Sequence, residues 1–82
     1  MPLYMDVHRM DEIDPIALAG AHERDLEVQG RYGVDYRDYW FSEDPATVFC
    51  LVEAPSAEAA EAVHRESHGL VADEILEVKP GA

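Results

Sequence analysis

Two strand-like runs, "VDYRDYWF" and "TVFCLVEA", are joined through "EDPA" in the middle of the chain. A connection this short allows an antiparallel hairpin and excludes a parallel crossover, which needs about a dozen residues or more. The hairpin is therefore the fixed centre around which the remaining segments must be arranged. "TVFCLVEA" carries the β-branched and aromatic residues of a strand packed on both faces.

On either side of the hairpin lie one helical segment and one further strand. Asp14 is placed to cap a helix whose first residue is Pro15, where a missing N–H costs nothing. That helix is expected to run to about Gln29 or Arg31 and to be released by Gly30 or Gly33. Ser56, after Pro55, caps the second helix; Glu58 and Glu61 sit near its positive end, and Gly69 terminates it. In Leu3 to Arg9, Leu3, Met5 and Val7 alternate with Tyr4, Asp6 and His8, which reads as a first strand. Leu70 to Lys79, including "EILEVK", is expected to form the last one, ending at Pro80. No linker or repeat divides the chain, so residues 1–82 are read as one domain.

The order βαββαβ has one simple solution, an α+β ferredoxin-like plait with a four-stranded antiparallel sheet and both helices on one face. Strict alternation places Val48, Cys50 and Val52 on one side of their strand and Phe49 and Leu51 on the other. In the preceding strand it sets Val34, Tyr36 and Trp40 against Tyr39 and Phe41. Both faces are then apolar or aromatic, and the side without helices is expected to meet a second copy of the chain. A homodimer also suits a length of 82 residues, at which a monomer buries its surface poorly.

Six basic residues against eighteen acidic ones give a formal charge of −12. Phosphate backbones and anionic headgroups are repelled, which argues against nucleic acid and membrane surfaces as partners. The N-terminal "MPLYMDVHRMDE" has no basic leader with an apolar run, and no segment approaches the ~20 apolar residues of a membrane span, so a cytoplasmic location is expected. Cys50 has no second cysteine to pair with, and its place between Phe49 and Leu51 reads as core.

The chemistry-bearing residues are the histidines. His64 and His68 stand four positions apart on the second helix, hence on one face with Cβ atoms ~6 Å apart, close enough to reach one ion. Glu61, three positions before His64, falls on the same stripe and offers a carboxylate. A histidine in the last helical turn is also favoured by the macrodipole alone. His22 lies between Leu18 and Leu26 on the apolar face of the first helix, where its ring nitrogens need partners. His8 shares a strand face with Asp6. Neutral imidazole with carboxylate suits nickel, zinc, copper and cobalt, whereas magnesium and calcium prefer oxygen alone; spacing does not choose among the first four. "HRESH" lacks the glutamate that must follow the first histidine of a metalloprotease helix, and there is no phosphate loop, CxxC or nucleophile elbow. The alternative is an enzyme or small-molecule binder in which His22 or His8 is a general base beside Tyr36, Tyr39 or Trp40.

Taken together, "DVHR", "AHERDL", "YGVDYRDYWF", "VFCLVEAPS" and "VHRESHG" resemble a family of small bacterial proteins, frequent in actinobacteria, that includes a nickel-binding member. The similarity spans nearly the whole chain. It implies a ferredoxin-like fold, a homodimer and divalent-metal binding with Ni2+ as the leading ion, and it places the motif histidines at His8, His22, His64 and His68. The expectation is a non-enzymatic cytoplasmic protein that sequesters or stores nickel. His64 and His68 are the central ligands, with His22, His8 and Glu61 as further ones.

Overall fold

A computed structural model describes residues 1–82. In chain order the elements are β1 (Leu3–Arg9), α1 (Pro15–Val28), a 3-10 turn (Gln29–Tyr32), β2 (Asp35–Glu43), β3 (Ala46–Glu53), α2 (Ala57–Ser67) and β4 (Glu74–Val78). The strands form one antiparallel sheet in the order β2-β3-β1-β4, with both helices against one face, the ferredoxin-like arrangement.

Both helices begin where their caps dictate. Asp14 Oδ1 accepts the N–H groups of Ile16 and Ala17 at 3.1 and 3.3 Å, and Ser56 Oγ accepts that of Ala59 at 3.1 Å. Gly33 and Gly69 take φ of 66° and 81°, the left-handed conformation that lets the chain leave each helical segment.

Two expectations need correction. The last strand was expected from Leu70, but pairing begins at Glu74. The intervening residues tie down the crossing from α2 instead: the Leu70 N–H donates to His68 Nδ1 at 3.1 Å, and the Asp73 carboxylate accepts the Arg9 N–H at 2.6 Å. In β2, strict alternation fails because the register shifts between Tyr36 and Asp38, leaving Arg37 as an extra residue. Tyr36 lies opposite Val52, Tyr39 opposite Cys50 and Phe41 opposite Val48, all towards the helices, while Trp40 lies opposite Phe49 on the other face. A bulge inverts the phase of the side chains beyond it, so Tyr36 and Trp40 point to opposite sides.

The apolar core is small: Val34, Tyr36, Val48, Cys50, Val52, Ala54, Ala60 and Val63. Only 12 residues are buried, and Asp6, His8, Asp25 and His64 are among them. A third of the interior is thus carboxylate or imidazole, which a chain this size tolerates only if those groups satisfy one another. Across the sheet, the register places Met5, Val7, Trp40, Phe49, Leu51 and Leu76 on the face without helices. Trp40 and Leu76 are 51% and 54% exposed there. No helix is long and apolar enough to cross a membrane.

Candidate metal centre

Each ionisable side chain reaches the interior through the period of its own element. On β1 the alternation that turns Met5 and Val7 to the open face turns Asp6 and His8 inwards, leaving them 0% and 7% exposed. On α2 the inward stripe is Ala60, Val63, His64 and Ser67, with His68 closing the helix beside it. On α1 the stripe runs through Leu18, Ala21, His22, Asp25 and Val28, so Asp25, not Leu26, occupies the next inward position: Asp25 is 3% exposed and Leu26 45%. β2 adds Tyr36 and β3 adds Cys50.

His64 is the hub. Its Nδ1 lies 3.0 Å from Asp25 Oδ1 and its Nε2 3.0 Å from Asp6 Oδ2. An ionised carboxylate only accepts hydrogen bonds, so both nitrogens donate and the ring is an imidazolium held between two carboxylates. Asp6 also accepts the Tyr36 hydroxyl at 3.0 Å and His8 Nε2 at 3.1 Å. Asp25 accepts the Ser67 hydroxyl and, at 3.2 Å, His68 Nε2. The tautomer of His68 is fixed because its Nδ1 already accepts the Leu70 N–H. No buried side-chain nitrogen or oxygen lacks a partner.

These contacts decide the charge states. Burial opposes ionisation of Asp6, but hydrogen bonds from His64 and His8 outweigh it and hold the carboxyl well below the usual range. Asp25 is lowered likewise, burial being overcome by His64 and His68. Burial alone would discharge His64, yet Asp25 and Asp6 push it up to about 9. Cys50 and Tyr36 go the other way: burial, reinforced by the neighbouring Asp6 charge, raises both, so thiol and phenol remain protonated in the metal-free protein.

Two overlapping donor groups emerge, Asp6, His8, Cys50 and His64 in one and Asp25, His64 and His68 in the other, each with its donor atoms within 4.8 Å of one another. Metal–imidazole bonds are about 2.0–2.1 Å, so two ligands across an ion stand about 4.2 Å apart and small side-chain rotations close the difference. Imidazole, carboxylate and thiolate together suit a borderline transition-metal ion such as nickel. A cavity of about 40 Å³ adjoins both groups; His8, His22, Asp25, Cys50, His64 and His68 are on its wall, with Leu18, Val48 and Leu70 among its apolar lining.

Residues 4–78 match the family described as nickel responsive protein SCO4226-like. The chain belongs to that family. The crystal structure of SCO4226 from Streptomyces coelicolor A3(2) matches with a TM-score of 0.88 and 43% sequence identity, covering 98% of this chain and 99% of that one. No curated protein matches.

Within this SCO4226-like chain, His64 and His68 come together as their spacing predicts, and His8 reaches the same cluster from β1. His22 lines the cavity with its ring on Tyr39, centroids 4.9 Å apart, but belongs to neither donor group. Glu61 belongs to neither: it follows the inward Ala60 by 100° of helix rotation and faces Arg65, 3.9 Å away. Asp25 is the residue that sequence reasoning missed. Its signal was positional, three residues after His22 and seven after Leu18, and it was hidden because an aspartate on a helix normally marks the wet side. Cys50 reads as core, which its burial matches, but it also stands in a donor group.

Proposed function

We propose that this protein binds nickel in its interior through Asp25, His64 and His68, and that it sequesters or stores the ion without catalysing a reaction. The observation that carries this reading is the convergence of these side chains from α1 and α2, with donor atoms within 4.8 Å. The family description, nickel responsive, favours nickel among the ions that such donors accept. Burial of the donors suits retention over rapid exchange: an ion held there is shielded from water and competing ligands. Cytoplasmic residence and a homodimer, closed through the face bearing Trp40, Phe49 and Leu76, complete the proposal.

The test is nickel titration by calorimetry of the parent protein and the His64→Ala/His68→Ala double variant, with folding followed by circular dichroism. The high-affinity step should vanish in the variant. An unchanged step would remove both residues from the site. A second reading, a small organic ligand in the cavity with His8 as base, has one observation in its favour, the apolar lining by Leu18, Val48 and Leu70. Native mass spectrometry of freshly purified protein separates an organic adduct from a metal.

A further inference from the structure

We propose that residues 69–72, the crossing from α2 to β4, form a strap that closes the interior cavity and opens as a unit while the rest of the fold stays intact, with the His68 ring as its latch. The inference concerns the metal-free chain and does not depend on the nickel reading.

The groups around the cavity are closed off from solvent: Asp25, His64 and Cys50 are 3%, 2% and 8% exposed. A solute reaches them only if part of the wall moves, and the parts of the wall are held unequally. Every lining residue except Met10, His68 and Leu70 lies within a helix or a strand. Met10 is tied to the β2–β3 hairpin, its N–H donating to the Ala46 carbonyl at 2.9 Å, and the His68 N–H donates to the His64 carbonyl at 3.1 Å. Leu70 is held by much less. The bond from its N–H to His68 Nδ1 at 3.1 Å is the only hydrogen bond that the protein makes to residues 70–72.

Both ends of this segment are fixed. Gly69, at φ 81° and with open space where a Cβ would stand, turns the chain out of α2. At the other end the Asp73 N–H donates to the Val7 carbonyl at 2.9 Å while its carboxylate holds the Arg9 N–H. Between them the chain is unpaired, and Leu70 and Val71 stand half in water. A segment with exposed backbone and few buried apolar contacts opens at a lower free energy than the whole domain. The latch links this motion to the interior, because the ring that accepts the Leu70 N–H also places Nε2 3.2 Å from Asp25 Oδ1. Closing the strap and ordering the His68 ring are one event.

The only thiol in the chain reports the opening, since Cys50 and Leu70 line the same cavity. Full-length protein in EDTA is alkylated with iodoacetamide at pH 8 in increasing urea below the unfolding transition, with labelling read by mass spectrometry and exchange of the Leu70 amide read by NMR. Labelling should be far slower than for a free thiol and nearly independent of urea, as for an opening that exposes little surface. The Leu70 amide should report the same opening equilibrium. Leu70→Ala should speed labelling about five- to tenfold, the effect of losing a half-buried leucine from the closed state. Val71→Ala, on the same strap but outside the cavity wall, should change it by less than about threefold. Circular dichroism checks that both variants fold; if Leu70→Ala does not, agreement between the Leu70 amide and the Cys50 thiol of the parent decides. Labelling as fast as a free thiol, a urea dependence equal to that of global unfolding, a Leu70 amide that disagrees with the thiol, or a Leu70→Ala variant no faster than Val71→Ala overturns the strap.

Discussion

His64 Nε2 and Asp6 Oδ2 are 58 residues apart in sequence and meet at 3.0 Å in the interior. The contact fastens α2 to β1, and because the other nitrogen of His64 holds Asp25, the same ring also fastens α1. In a domain whose apolar core is eight residues, this polar junction is as central to the packing as the aliphatic contacts around it. Under the nickel reading proposed above, this scaffold would exchange protons on His64 for a metal ion in their place.

The proton state gives the metal-free protein a defined stability window. His64 titrates at about 9 when folded against 6.5 as the reference value, so its contribution is fully present below about pH 6.5 and is lost as pH rises through 9. Asp6 and Asp25 are depressed below their reference value of 3.8, so their contribution is present above that pH and lost as acid protonates them. Both describe one ion-paired cluster. In the presence of EDTA, Tm is therefore expected to be highest between about pH 4 and 6.5 and to fall on either side. A calorimetric Tm that keeps rising to pH 9 would contradict the imidazolium.

Breaking the cluster from one side should be expensive. Asp6→Ala leaves His64 Nε2 and the Tyr36 hydroxyl facing a cavity where a carboxylate stood. Removal of one partner from a buried pair costs about 3–5 kcal/mol, and urea unfolding at pH 6 should show a loss of that order. Asp6→Ala combined with His64→Ala should cost less than the two single changes added together, since the two groups then no longer strand one another. Additive losses would mean that the two groups do not interact.

The plait was legible in the sequence because its signals are local: Asp14-Pro15 and Ser56 start the helices, Gly33 and Gly69 release them, and "EDPA" leaves no choice but a hairpin. The bulge at Arg37 was not legible, because one extra residue leaves no mark in the letters and shows only when Tyr36 and Tyr39 are set against β3. The site divides in the same way. His64 and His68 announced themselves by spacing, whereas Asp25 acquires its role only when α1 is laid beside α2, and Glu61 loses the role that spacing offered it once the inward stripe is seen to run through Ala60 and His64.

That division gives a discriminating pair of variants. Glu61→Gln changes a residue facing Arg65 outside both donor groups and should leave nickel affinity unchanged. Asp25→Asn keeps the shape of the side chain but removes a ligand charge and the acceptor shared by His64 and His68, and should weaken nickel at least as far as the 10–100-fold loss typical of a supporting residue. Equal affinities in calorimetric titration would move the site away from α1.

Nickel affinity should fall as pH falls, because the ion competes with protons for His64. The ring is held protonated up to about pH 9, so the competition extends well above the ordinary imidazole range, and apparent affinity is expected to climb throughout pH 6 to 9. A titration series that levels off near pH 7 would indicate ligands other than this ring.

The open face of the sheet supplies an independent test of assembly. Trp40 pairs with Phe49 across β2 and β3, Phe49 with Val7 across β3 and β1, and Met5 with Leu76 across β1 and β4, so one apolar surface runs the width of the sheet on the side away from His64. A tryptophan 51% exposed at such a place is a natural anchor for a second subunit. Trp40→Glu introduces a charge that the partner face would have to desolvate, and should convert a dimer into a monomer of 9.2 kDa by analytical ultracentrifugation. Because Trp40 points away from the donor groups, nickel bound per chain should stay the same in that monomer. Loss of the metal together with the dimer would mean that the interior site depends on the partner, and a parent protein already sedimenting at 9.2 kDa would mean that this face meets water after all.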